Sequence, residues 1–351
     1  MECFEGIEIA RGYFEAVTRL DGEFVVHGWM LLPNKEFDSV QFYWNGDLVD
    51  SAEIAPRKDV GEVFPWIPHA SQSGFSVRLS KQLTEKVKVG HIDLLGCREG
   101  KPLAHMSSLF RTDIDTGVPV PPAALMERVA GSSNPRLFTV SGLTPFTEFF
   151  VALSRHCDLS SVHRLLDWGC GCGRVSMHFL HFLSGAGSPE FYGCDIDGEA
   201  ITWCAEHFRS GKFTRIEPWP PTPYEDATFD VAVGNSVFTH LQRDAQTAWL
   251  AEMKRIIAPG GLFLASTHGE FAAYFTFRDK ADYALRNGIS DDMPDSRLDG
   301  IAPDGYYRAV FQTRAYTERE WSKHFEILEY IERGMGHFQD LVVMRRRSSE
   351  L

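Results

Sequence analysis

No apolar run in this 351-residue chain approaches the length needed to span a bilayer, and no repeat or low-complexity tract interrupts it. Dense positive charge is scarce as well. The one basic run is Arg345-Arg346-Arg347, and the formal net charge is −13. Nucleic-acid complexes draw most of their affinity from clustered lysine and arginine on phosphate, so a nucleic-acid substrate is disfavoured. The triple arginine reads as a solvated tail. Cysteine is sparse and unframed: the seven cysteines are an odd number, scattered along the chain, and read as reduced thiols. Cys170 and Cys172 are separated by one residue, whereas zinc pairs show two or more intervening residues and a matching second pair. With no other metal-ligand cluster in view, metal-independent chemistry is expected. The opening Met1-Glu2-Cys3-Phe4-Glu5-Gly6 lacks the basic and apolar regions of a secretory signal, which makes the cytoplasm the expected address. The length allows two domains, each with its own core.

What is present is most informative at Arg164-Leu165-Leu166-Asp167-Trp168-Gly169-Cys170-Gly171-Cys172-Gly173-Arg174. An apolar run reaches an acid and then three glycines at alternate positions, which reads as a buried strand feeding a turn of bare backbone. Val175 to Leu180 resume a helix-compatible pattern, so the glycines sit at a strand-to-helix junction. Nucleotide-like cofactors bind at such junctions in open α/β sheets. About twenty residues on, Glu190 to Asp197 reads as a second short strand ending in acid. A carboxylate there is placed to accept hydrogen bonds from two vicinal ribose hydroxyls, and Asp195 is the candidate; Asp197 reads as a helix N-cap.

These residues resemble the first motif of the class I S-adenosylmethionine-dependent methyltransferases, a strand, an acid and G-x-G-x-G. The resemblance continues at Phe229-Asp230 and the apolar strand to Asn235, and at the Pro259-Gly260-Gly261 turn before a further strand. It covers roughly Gly142 to Arg347 and implies an α/β, Rossmann-like, seven-stranded, mostly parallel sheet with a final antiparallel hairpin. It also implies S-adenosyl-L-methionine as cofactor, S-adenosyl-L-homocysteine as product, and a cofactor site containing Asp167, Gly169, Gly171, Gly173, Asp195, Ile196, Trp219 and Asn235. Many family members hold the adenine amine with an acid after the third strand. Here Arg215-Ile216-Glu217-Pro218-Trp219 leaves two alternatives, Glu217 in that role, or stacking on Trp219 with backbone contacts.

Residues 1–112 have another texture: short alternating runs such as Ser39 to Trp44 and Gly74 to Leu79 are separated by turn signals including Asn45-Gly46. An antiparallel β-sandwich domain is expected. This part resembles the β-sandwich modules attached to bacterial polysaccharide-building enzymes, through Gly28-Trp29, Trp44-Asn45-Gly46, Arg57-Lys58-Asp59-Val60, Phe64-Pro65 and Ser73-Gly74-Phe75. Residues 113–141, rich in proline and glycine, read as a linker holding at most a short helix over Ala123 to Val129. A helix is expected from Pro145 to Cys157. The catalytic domain then occupies 142–351. Within it, about 269–314 mixes Phe271, Tyr274, Phe275, Phe277, Tyr283, Tyr306 and Tyr307 with a polar stretch, and reads either as a substrate lid or as an inserted helix pair.

Methyl transfer from a sulfonium is an in-line displacement that needs orientation and water exclusion, and a hydroxyl nucleophile gains from a base. His240, just past the fourth strand, and His268, at the end of the fifth, are the catalytic candidates; each has the alternative of a packing histidine. His337, Gln339 and Asp340 precede the last strand and face the acceptor from the opposite side in this reading. The expected activity is methyl transfer to a hydroxyl of a sugar or glycan-related acceptor, a small molecule or a glycan. The alternatives are a natural-product O- or N-methyltransferase and a non-catalytic protein that only binds the cofactor.

Overall fold

The computed structural model describes residues 7–20, 23–80, 89–111, 118–183, 187–276 and 278–348. The chain divides into two units, Met1–Val118 with Asn134–Thr144, and Pro119–Ser133 with Pro145–Leu351.

In the first unit the strands are β1 (Glu8–Ile9), β2 (Arg11–Leu20), β3 (Glu23–Leu31), β4 (Ser39–Trp44), β5 (Asp47–Glu53), β6 (Ala55–Pro56), β7 (Gln72–Leu79), β8 (Val89–Arg98) and β9 (Lys101–Arg111). They form a five-stranded sheet in the order β1-β9-β8-β4-β5 and a four-stranded sheet in the order β2-β3-β7-β6. All pairings are antiparallel apart from β1 with β9. The alternation read from the sequence is what buries one face. Val40, Phe42 and Trp44 point inward from β4, and they share a core with Val26 of β3, Val77 of β7 and Leu94 of β8. Asn45 (φ 51°) and Gly46 (φ 91°) supply the two left-handed residues that a tight β4–β5 hairpin requires.

In the second unit, β10 (Arg164–Trp168), β11 (Glu190–Asp195), β12 (Gly211–Arg215), β13 (Phe229–Gly234), β14 (Ile257–Thr267), β17 (Glu326–Met335) and β18 (Gln339–Arg345) make one sheet, ordered β12-β11-β10-β13-β14-β18-β17. The first five run parallel, while β18 lies antiparallel between β14 and β17, as the final hairpin was expected to. β10, β13 and the second half of β14 are apolar because both faces are covered, whereas the edge strand β12 (Gly-Lys-Phe-Thr-Arg) is not. Leu166, Ala232, Phe263 and Val342 are essentially inaccessible and pack with Trp249 of the helix Arg243–Ile256 and with Trp321. Chain order reverses on either side of β10, and that switch point opens a crevice beyond the strands' carboxyl ends.

Three expectations give way. The 113–141 stretch is not irregular where it is described: it holds the helix Ala123–Ala130 and the start of the helix Pro135–His156. That second helix begins ten residues earlier than expected because Pro145, read as a first-turn residue, lies inside it. Its Leu137–His156 window is also long and apolar enough to cross a membrane by length and composition, contrary to the reading that no run approaches this. The window is 61% buried, as in a core helix. The 269–314 stretch matches the inserted-helix-pair alternative, with helices Glu270–Thr276 and Arg278–Asn287 followed by the antiparallel pair β15 (Ile289–Pro294) and β16 (Arg308–Gln312). Ala272, Ala273, Ala281, Ala284 and Phe311 form a small core there, while Phe277 lies outside the described residues.

Candidate active site

The crevice at the ends of β10, β11 and β13 is a cavity built by consecutive short segments. The first is the glycine turn after β10. Gly169, Gly171 and Gly173 have φ of 73°, 52° and 82°, a region that side chains disfavour. A Cβ on Gly171 would lie 2.8 Å from Val129 Cγ2, and one on Gly173 would lie 2.5 Å from Phe208 Cε2. Gly169 and Gly171 line the cavity, whereas Gly173 faces the core behind it.

Three carboxylates surround this turn. Asp195 lines the cavity and accepts hydrogen bonds from Gly171 N (2.8 Å) and Asp197 N (2.9 Å), so it braces the turn as well as facing a ligand. Burial raises its pKa, opposed by those two backbone donors. Asp197 caps the helix Gly198–His207, accepting from Glu199 N and Ala200 N, as its sequence position predicts. Asp167 is 1% exposed, accepts a 2.6 Å hydrogen bond from Ser176 Oγ, and is raised to about 7 by burial, with the charge of Asp195 adding and Ser176 opposing.

Ile196, Ile216, Trp249 and Leu298 supply the apolar part of the wall. Neither alternative for adenine recognition reaches the cavity through a side chain. Glu217 is exposed, and Trp219 is 41% exposed, packed edge-on against Tyr306 rather than lining the cavity. Tyr306, against which Trp219 packs, lines the cavity instead. Its hydroxyl donates to Pro218 O and accepts from Trp249 Nε1 at 3.0 Å.

On the opposite side, Asn235, Ser236 and Val237 follow β13 and lead to His240 in the cavity wall. His240 Nδ1 donates to Arg308 O at 3.0 Å, which fixes the tautomer and leaves Nε2 as the acceptor nitrogen. Its ring stacks on Tyr307, with Asp295 Oδ2 3.7 Å from Nδ1. Burial, then the neighbouring His268 and the Arg297 charge, push its pKa down to about 3. His268 repeats the arrangement one step outward: Nδ1 donates to Val310 O at 3.1 Å, and the ring stacks on Phe311. It does not line the cavity but connects to it, because Gln339 Nε2 lies 3.5 Å from His268 Nε2 and donates to Ser236 Oγ at 2.9 Å. Asp340 is engaged elsewhere, accepting from Tyr330 OH and Arg333 N, and His337 sits in the β17–β18 turn.

Several wall residues were not singled out from the sequence. Arg128 and Val129 come from the helix Ala123–Ala130, where Arg128 bridges to Asp197 and Glu199. Arg297 and Leu298 come from the 269–314 segment, beside Tyr306 and Tyr307, which the sequence had marked among its aromatics; of those aromatics that are described, only these two tyrosines line the cavity.

Residues 166–263, from β10 to β14, match the family described as methyltransferase domain. This stretch is that of a methyltransferase domain, and S-adenosylmethionine is the cofactor to test against the site. Similar solved structures include a protein from Pyrococcus horikoshii, 18% identical over 57% of this chain and 88% of that one, TM-score 0.41. Another is an S-adenosylmethionine-dependent methyltransferase from Methanosarcina mazei, 16% identical over 56% and 98%, TM-score 0.44. A third is human N-acetylserotonin methyltransferase in complex with S-adenosylmethionine, 15% identical over 60% and 53%, TM-score 0.39.

The residues present fit this cofactor. At Gly169 and Gly171 the backbone itself lines the cavity, with positive φ that favours glycine, and the Asp195 carboxylate suits ribose hydroxyls. Apolar Ile196, Ile216 and Trp249 suit a purine.

Proposed function

We propose that the methyltransferase acts on a hydroxyl of a sugar or glycan-related acceptor, with His240 as the base. The observation that carries this reading is that His240 stands in the cavity wall with Nδ1 committed to Arg308 O and Nε2 left to accept a proton. S-adenosylmethionine supplies an electrophilic methyl carbon on a sulfonium that leaves as a neutral thioether with the carbon–sulfur electron pair. The acceptor oxygen forms the new bond, and its proton must go to the protein. A pKa of about 3 keeps His240 deprotonated at neutral pH. A weak base suffices late in the transfer, because the hydroxyl becomes strongly acidic as its oxygen gains the methyl group. The imidazolium then has Asp295 3.7 Å away to offset its charge.

The 269–314 segment acts as the lid in this reading, through Arg297, Leu298, Tyr306 and Tyr307. The first unit is read as a β-sandwich, because its two sheets contribute to one core. Acceptor binding by that sandwich rests on its resemblance to the polysaccharide-enzyme modules. The test is release of S-adenosylhomocysteine from full-length protein offered sugar nucleotides, free glycans and phenols. Turnover confined to phenols or amines would overturn the acceptor class. His240→Gln should lower kcat by about 10²–10⁴; an unchanged kcat would overturn the base.

A further inference from the structure

Three polar groups on the lid side of the cavity have capacity to spare. Arg297 is anchored by its neighbour: Nε and Nη2 both donate to the Asp295 carboxylate, the latter at 2.6 Å. That carboxylate also caps the turn Ser296–Leu298 by accepting from Arg297 N. The guanidinium is thereby fixed in orientation. Its Nη1 has no hydrogen-bond partner among the described residues, and the side chain, 53% exposed, lines the cavity. The Tyr307 hydroxyl and His240 Nε2 are also without partners among the described residues, and all three residues line the same cavity.

Charges of both signs line this cavity. On the glycine-turn side Asp167 and Asp195 are accompanied by Arg128, which is paired with Asp197 and Glu199, and by Arg174, whose charge acts on Asp167, while the 269–314 segment contributes a cation of its own, Arg297. The chain as a whole, at −13, repels anions, so a positive lining residue here is a local feature rather than a reflection of the surface. A guanidinium held by one carboxylate still offers its outer edge to a second oxyanion.

We propose that the acceptor carries an anionic group, a carboxylate or a phosphate, close to the hydroxyl that is methylated, and that Arg297 Nη1 with the Tyr307 hydroxyl receives it. This deepens the methyl-transfer reading above and rests on it for the identity of the cavity, but its test does not depend on turnover. Arg297 is a specificity residue in this account: it orients the anion so that the neighbouring hydroxyl faces His240 Nε2.

The experiment uses full-length protein loaded with S-adenosylhomocysteine. Calorimetry measures binding of three probes, glucose, glucuronate and glucose 6-phosphate, to wild type, Arg297→Gln and Arg297→Lys. The expected result is that at least one anionic probe binds 10-fold or more tighter than glucose. In that case Arg297→Gln removes the advantage, by about 10–100-fold, and Arg297→Lys restores part of it. Which of the two anions gains distinguishes carboxylate from phosphate. S-adenosylhomocysteine affinity should stay within about twofold in Arg297→Gln, which also shows the variant is folded. Three results overturn the proposal: equal binding of all three probes, absence of binding by both anions, or an anion advantage that survives Arg297→Gln. A loss of S-adenosylhomocysteine affinity in that variant overturns it as well, by assigning Arg297 to the cofactor's own carboxylate. Arg297-dependent binding of an anion together with full turnover in His240→Gln would instead remove the base and leave this inference standing.

Discussion

The rings of His240 and Tyr307 lie stacked, centroids 4.1 Å apart and planes at 13°, so the candidate base is held by a residue sixty-seven positions later in the chain. The contact joins the segment after β13 to the proposed lid, and Leu241 also bridges to Tyr307 through the backbone. Burial and the nearby His268 and Arg297 disfavour protonation of this ring, against the opposing pull of Asp295 and the Arg308 carbonyl.

This has a consequence for stability. His240 has a folded pKa of about 3 against an ordinary value of 6.5. Between those values the unfolded chain binds a proton that the fold refuses, so stability falls as pH drops through that window. Relative to His240→Gln, wild type should lose up to about 1.4 kcal/mol per pH unit between pH 6 and pH 4. Urea unfolding of both proteins at pH 7, 6 and 5 measures this. Parallel losses in the two proteins would mean that the buried ring takes up its proton without unfolding.

Asp195 has two tasks, facing the cavity and bracing Gly171 N and Asp197 N. Asp195→Ala should weaken S-adenosylhomocysteine binding by about 1.5–3 kcal/mol, the worth of hydrogen bonds to a charged group. Asp195→Asn keeps one carbonyl acceptor and should lose less. Calorimetry on both variants checks the order, and equal affinity to wild type in either would detach Asp195 from the cofactor.

The glycines of one motif separate into two classes. Gly171 lines the cavity, so Gly171→Val should abolish cofactor binding through loss of the close backbone approach. Gly173 is turned away, and its added Cβ would press on the Phe208 ring at 2.5 Å. Gly173→Ala should therefore act mainly on stability, by about 1–3 kcal/mol. Melting temperature and S-adenosylhomocysteine affinity, measured side by side, distinguish the two; a Gly173→Ala variant of normal stability and lost affinity would reverse the assignment.

What could be read from the sequence was what lies close together along it. The strand, acid and glycines of 164–174 are consecutive, and the cap at Asp197 follows its strand directly, so local pattern was enough. Residues brought in from a distance carried no such signal. Arg128 meets Asp197 across sixty-nine positions, and Tyr306 reaches Pro218 across eighty-eight. Trp219 was placed at the adenine by adjacency to β12, while Trp249 gets into the wall because a helix returns over the sheet. In 269–314 a helix pair was one of the two readings, and its small core is formed by Ala272, Ala273, Ala281 and Ala284 with Phe311.

The ion pair between Arg243 and Asp291 gives the last prediction. Arg243 Nε and Nη2 each lie 2.9 Å from the Asp291 carboxylate, and Arg243 N donates to it at 3.1 Å. Arg243 begins the helix after β13, and Asp291 belongs to β15, so this latch holds the proposed lid against the sheet layer. Arg297, Leu298, Tyr306 and Tyr307 all reach the cavity from the same segment. Asp291→Ala should therefore leave the glycine turn and Asp195 untouched but speed release of S-adenosylhomocysteine by about tenfold, as loss of one charge-assisted pair would allow. Stopped-flow displacement of the bound product measures the rate. If release limits turnover, kcat rises with it; if orientation under the lid limits turnover, kcat falls. An unchanged release rate in a folded variant would mean that the 269–314 segment is a fixed wall of the site and does not open.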